Sequence, residues 1–190
     1  CSGNMTQRVI GGSTYNLAYD AENRLSTVSG AASATYVYDG DGVRVKSVAG
    51  GTTTVTIGSY FEWTGSSSMM KRYYEAGGSR IGMRQGSTLY WLVSDHLGST
   101  SVTANASGSL YGRLLYKAWG EQRWSSGTMP TTYRYTGQHS ESSIKLYWIG
   151  SRWYDDSLGR FIQPDPIVPG IGAGGILNAV GYIGGTTYAR

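Results

Sequence analysis

Cysteine is nearly missing from the 190 residues: there is one, at position 1, so no internal disulfide framework can staple the fold. Histidine is almost as scarce, with His96 and His139 alone. A metal centre draws on three or four ligands, so there is no basis here for a zinc or iron site, and we expect neither metal nor cofactor. No apolar run approaches the roughly 18 residues of a membrane span. Helical periodicity is nowhere sustained, which leaves little room for helices. An excess of one charge is lacking too. The formal net charge is +4, and the basic residues are single and dispersed, as at Arg24, Arg44, Lys46 and Arg84. Nucleic-acid binding calls for a clustered basic face or a motif, and neither is visible, so no nucleic-acid partner is expected. Dispersed charge reads instead as strand-surface charge that keeps edges soluble.

What is abundant points to β structure. There are 29 Gly, 16 Tyr and 6 Trp beside 2 Phe and 4 Pro, with many Thr, Ser and Val. Aromatic and β-branched residues suit strands, and glycine suits turns. The length fits one domain able to bury about two-thirds of its unfolded surface. Residues Tyr15 to Val28 alternate, turn at Asp20 to Asn23, and alternate again, which is a β-hairpin. The unit recurs at Thr35 to Val48, with Tyr38-Asp39 lying 19 residues after Tyr19-Asp20 and an arginine on the returning strand. Such self-similarity means stacked units, each with an aromatic face that only a neighbour can cover. Tyr fills the sheet face, and Asp caps the turn through its own backbone. Between residues 52 and 124 strand-length segments continue, separated by Gly or Ser turns, with Met69-Met70 as core filling. Asp95-His96-Leu97-Gly98 reads as a turn, since a Ser-His-Asp hydrolase would need a nucleophile elbow that is missing. Tyr133 to Tyr135 reads as a further strand, and Gln138 to Ser143 as its polar turn.

The most specific stretch is Leu146 to Pro166, where aromatics, arginines, aspartates and two prolines crowd together. It reads as strand, Asx- and Gly-rich turn and second strand, stopped by Pro164 and Pro166. Leu146-Tyr147, Arg152-Trp153-Tyr154-Asp155, Gly159-Arg160-Phe161 and Pro164-Asp165-Pro166 resemble the core-associated segment of RHS/YD-repeat proteins, with Asp156 where that family usually has Pro. Asp95-His96-Leu97-Gly98-Ser99 and Tyr133-Arg134-Tyr135-Thr136-Gly137-Gln138 resemble two further motifs of the family. The expected fold is all-β: stacked antiparallel β-hairpins (YD repeats) in a continuous curved or coiled sheet over residues 1–166. A Gly-rich apolar tail, 167–190, is expected to pack on itself or on a neighbouring subunit.

The resemblance implies a structural shell, since RHS/YD proteins wind long sheets into hollow cocoons. We expect an extracellular or cell-surface scaffold of bacterial type that self-associates through open sheet edges and its tail, as a homo-oligomer, shell or fibre. It is not expected to be an enzyme. The resemblance also carries an alternative, a cocoon remnant with an aspartyl self-protease. Asp155 and Asp165 would share a proton, oriented by Arg152 or Arg160. Their plainer role is as turn and strand-exit aspartates paired with arginine. The family's usual second Asp-Pro-x-Gly cut site is missing, so such activity would be vestigial. A third reading is surface adhesion or carbohydrate binding through stacking Trp and Tyr. Cys1-Ser2-Gly3-Asn4 resembles the processed start of a lipid-anchored surface protein, and the same thiol would serve an intermolecular disulfide; a chance cut is the plain alternative. Asn4 and Asn105 stand in glycosylation sequons.

Overall fold

The computed structural model describes residues 3–165, so the readings of Cys1 and of the 167–190 tail fall outside the described residues. The elements follow one another with turns of two or three residues at most joints. They are β1 (Gln7–Ile10), β2 (Ser13–Tyr19), β3 (Leu25–Gly30), β4 (Ala34–Tyr38), β5 (Arg44–Ala49), β6 (Thr52–Ile57) and β7 (Phe61–Trp63). Next come β8 (Lys71–Ala76), β9 (Ser79–Gln85), β10 (Thr88–Ser94), β11 (Thr100–Asn105), β12 (Leu110–Tyr116) and β13 (Gln122–Gly127). These thirteen form one sheet in chain order, each antiparallel to the next. The remaining strands are β14 (His139–Glu141), β15 (Leu146–Ile149), β16 (Arg152–Asp155) and β17 (Arg160–Phe161), and they make a second, four-stranded sheet.

Five joints are built alike. At Asp20, Asp39, Asp95, Asn105 and Lys117 the backbone N–H donates to the carbonyl four residues on, and its carbonyl accepts from the N–H three residues on. This is the three-residue hairpin loop with a bulge, and the ladder slips by one residue beside each. At the first four, the side-chain oxygen also accepts two backbone N–H groups, as Asp39 does from Asp41 at 3.0 Å and Val43 at 2.9 Å. The expected capping role of the aspartates is what is found, and His96 is an exposed member of the Asp95 turn.

Three local expectations fail. Met69 and Met70 do not fill a core: Met69 is 45% exposed and Met70 half-buried, because they lie in the loop before β8 rather than on an inward strand position. Tyr133 to Tyr135 is not a strand: Tyr133 makes a single bridge to His139, and Tyr135–Gly137 forms a 3-10 turn. Thr136 sits there at φ 48, and Ser99 Oγ accepts its N–H at 3.0 Å. The predicted polar turn at 138–143 is in part strand β14, because it borders Leu146 to Ile149 and its backbone groups pair there.

The second sheet lies on one side of the first. Tyr15, Leu17, Leu25, Val28, Ala34 and Tyr36 from β2 to β4 share a core with Ile144, Leu146, Trp148, Trp153 and Ile162. A smaller core joins Tyr73, Met83 and Leu92 to Tyr133. Pairings carry this inner side across the whole sheet, from Leu17 opposite Val28 to Tyr36 opposite Ser47, Glu62 opposite Lys71, and Leu92 opposite Thr103.

Candidate functional site

The core-associated segment is buried on both faces, which is why it reads as a continuous aromatic run. Trp148 and Trp153 pair across β15 and β16 with rings 5.3 Å apart, and Trp153 meets Tyr36 at 4.6 Å. On the other face, Tyr147 and Tyr154 donate their hydroxyls to the carbonyls of Gly120 and Trp119, 3.3 and 3.0 Å away. The segment thus clamps the first hairpins to the last three-residue turn. Its exit does the same for the chain's beginning: Met5 N–H donates to Ile162 O at 2.9 Å, and the Gln163 amide bridges Trp153 N to Asn23 O. β17 ends three residues before Pro164, at Phe161.

Asp155 is fully buried at the end of β16. Its Oδ2 accepts from Arg8 Nε at 2.5 Å, and its Oδ1 accepts from the backbone and hydroxyl of Ser157 and from Leu158 N. Arg8 is buried as well, and spends its other nitrogens on the carbonyls of Ile144 and Lys145 at 2.7 and 2.8 Å. Burial alone would raise the Asp155 carboxyl, but the Arg8 and Ser157 hydrogen bonds outweigh it and hold it below the usual carboxylate range. Burial and the charge of Asp155 push its neighbour Asp156 the other way.

The four residues singled out from the sequence are distributed otherwise than a proton-sharing pair would be. Asp165 is bound to Arg152 at 3.0 Å, at the opposite end of β16 from Asp155. Three residues along a strand span about 10 Å at ~3.3 Å per residue. Arg152 also lies over the Phe161 ring at 3.8 Å, while Arg160 is exposed beside the turn, opposite Asp155 in the ladder. Arg8 was not foreseen. The visible signal is a charged residue at an inward alternate position of β1, between Gln7 and Val9, which are both exposed.

A second polar cluster was also missed. Glu62 is 1% exposed on the inner side, whereas its neighbour Trp63 points outward. In Phe61-Glu62-Trp63 the apolar–polar–apolar order suggests the reverse. Thr132 Oγ1 donates to Glu62 Oε1 at 2.8 Å, with Lys71 Nζ at 3.7 Å and His139 Nε2 at 3.6 Å. The His139 Nδ1 atom has no partner among the described residues. Burial first, then the cations Arg44, Lys71 and Arg80, hold the imidazole well below its ordinary value. Burial raises the Glu141 carboxyl beside it. These groups border a hydroxyl-rich cavity of about 430 Å³ together with Ser47, Thr52, Thr54 and Ser140. Among the described residues no cluster of His, Cys, Asp and Glu could hold a metal ion.

The sequon residues have structural partners of their own. Asn4 Nδ2 donates to Asn23 Oδ1 at 3.1 Å, and Asn105 Oδ1 accepts from Ser107 and Ser109 in its turn.

A model of the teneurin YD-shell family matches residues 57–169. The tRNA3(Ser)-specific nuclease WapA of Bacillus spizizenii is 27% identical over 166 residues, 80% of this chain and 7% of that protein. Salivary gland surface protein 1 of Aedes aegypti is 31% identical over 90 residues, 46% of this chain and 3% of its own length. Among solved structures, the Photorhabdus luminescens Tc holotoxin pore matches with a TM-score of 0.71 at 18% identity, over 93% of this chain and 10% of that one. The TcdB2-TccC3-Cdc42 structure matches at 0.67 and 18% identity, over 86% and 9%. The chain therefore spans a tenth or less of the proteins it resembles.

Proposed function

The chain belongs to the teneurin YD-shell family, and on that premise we propose that it is a structural wall element of the cell exterior, one that extends by adding strands at its open edges. One observation carries this reading. The long sheet runs in strict chain order, and β1 and β13 each pair with a single neighbour among the described strands. Unpaired strand edges template further pairing, with a second copy or with more of the same chain. Every residue on β13 but Ser126 is exposed. The solved structures named above are multi-component toxin assemblies, which fits a part that works by enclosing or docking.

A structural rather than catalytic role is supported by the separate ion pairs of Asp155 and Asp165, each carboxylate facing its own arginine. The self-cleavage alternative gains no support from that arrangement.

Analytical ultracentrifugation and negative-stain microscopy test the scaffold reading. Assemblies that grow with concentration are expected, and they should recede when Trp124→Lys and Ser125→Lys place charge on β13. A monomer that persists across a hundredfold range of concentration would rule out edge-driven assembly.

A further inference from the structure

The second sheet is held to the first unequally across its width. Toward β15 and β16 the contact is aromatic, with Trp148 and Trp153 against β2 to β4, and the Arg8–Asp155 pair ties it down. Toward β14 the contact is polar. His139, on β14, is buried against Glu62 of β7 and the edge of the Tyr133 ring, and Ser140 N–H donates to Thr132 O at 2.8 Å. The hydroxyl-rich cavity lies at this joint, with Ser47, Thr54, Lys71 and Ser140 among its walls. Charges reach the imidazole from each strand packed there: Arg44 of β5, Glu62 of β7, Lys71 of β8 and Arg80 of β9, with Glu141 beside it on β14. Three of these are cations. The carboxylates are already engaged, Glu62 with Thr132 and Lys71, and Glu141 with the Ser143 hydroxyl at 3.0 Å. Arg80 pairs with Glu75 at 3.5 Å, and Arg44 has no ion pair among the described residues. Burial keeps the phenols of Tyr36, Tyr73 and Tyr133 raised, so they stay neutral in mild acid.

We propose that this joint is an acid-released latch: a proton on His139 parts β14 and Tyr133 from β5 to β9, while β15 to β17 stay seated. A neutral imidazole can be buried among Arg44, Lys71 and Arg80. An imidazolium there is a fourth cation out of reach of bulk water, so both desolvation and like-charge repulsion oppose it. The adjoining polar cavity gives water a path to that charge once the joint loosens. Since the closed joint lowers the His139 pKa, the open joint holds the proton more tightly, and opening grows as pH falls below the ordinary imidazole value near 6.5. Glu141 has the opposite sign: burial raises its carboxyl, so its protonation favours the closed joint and acts as a brake. On the far side, against burial, the hydrogen bonds from Arg8 and Ser157 keep Asp155 charged at pH values where His139 has let go. Opening therefore uncovers the small core of Tyr73, Met83 and Leu92 and frees the edge of β14 that a single bridge ties to Tyr133. The latch works at the joint between the sheets and is independent of strand addition at β1 and β13.

Amide hydrogen exchange of the full chain at pH 7.5 and pH 5.5, with each rate divided by the intrinsic rate at that pH, tests it. Acidification is expected to raise the opening of β14 and of the facing strands β6 to β8 about tenfold, the change that one group of ordinary pKa near 6.5 supplies over this range. Protection in β2 to β4 and in β16 should change little. His139→Gln, which keeps a polar side chain and cannot take the proton, should abolish the acid response of β14, whereas His96→Gln, at an exposed turn position, should leave it intact. The wild-type comparison decides by itself if His139→Gln folds poorly: protection lost evenly from β2 to β4, β14 and β16, or kept in β14, overturns the proposal. An acid response of β14 that survives in a folded His139→Gln variant, or that vanishes in His96→Gln, overturns it as well.

Discussion

Arg8 and Asp155 are 147 residues apart in the chain and form one of its most buried polar contacts. Removing one member strands a charge that neither water nor another cation reaches. Arg8→Met is therefore expected to cost ~3–5 kcal/mol, a large share of a typical domain's stability, read as a lower urea midpoint. Adding Asp155→Asn should restore part of the loss, since asparagine still caps the turn to Ser157 while carrying no charge. Because the Asp155 pKa is depressed in the fold, its contribution is present above the ordinary carboxylate range near pH 4 and fades as pH falls through the folded value. His139 acts at milder pH. Its folded pKa is lowered, so below about pH 6.5 the unfolded chain takes up a proton that the fold refuses, and stability drops as pH falls. His139→Gln should flatten the melting temperature between pH 7 and pH 5. A slope unchanged in that variant would assign the pH dependence elsewhere. Arg44 illustrates another residue-scale solution: it is buried without an ion pair among the described residues, over the rings of Tyr36, Trp148 and Trp153 at 5.4 to 6.0 Å.

At the scale of elements, the three-residue turn is the unit that repeats. Each copy needs a left-handed residue at its third loop position, filled by Asn23, Gly42, Gly98, Gly108 or Gly120. At Gly42 a Cβ would meet nothing within 4 Å, so only backbone strain opposes a side chain there. Gly42→Ala is expected to lose about 1–2 kcal/mol, measured by chemical denaturation, while Asn23→Gly changes little. This turn was legible in advance because Asp, Asn and Gly act through their own backbone, within five residues. The strand at 133–135 was misread for the opposite reason. Tyr133 and Tyr135 have strand-like spacing, but Tyr133 is drawn inward against Tyr73 and Arg80, and Tyr135 toward the Ala118 carbonyl. Those partners lie 17 to 60 residues away in the chain, beyond any local pattern.

For the whole molecule, the second sheet acts as a clasp that joins the first hairpins, the last three-residue turn and the beginning of the described chain. Trp153, fully buried at its centre, touches Tyr36 and donates its indole N–H to the Tyr38 hydroxyl at 3.2 Å. Trp153→Ala should cost ~3–5 kcal/mol and loosen the clasp as a unit, seen as faster amide exchange in both β2–β5 and β15–β16. Exchange confined to β15–β16 would mean that the two sheets hold independently. Alternation, turn residues and the 19-residue interval were enough to determine an antiparallel hairpin meander, because each of those signals is set by contacts between chain neighbours. Only the tertiary structure decided that the last four strands leave the meander and fold over it, that Asp155 takes Arg8 rather than Arg152 or Arg160, and that Glu62 turns inward. A charged side chain's place depends on which distant partner can offset its desolvation, and that information exists only once the chain has closed on itself.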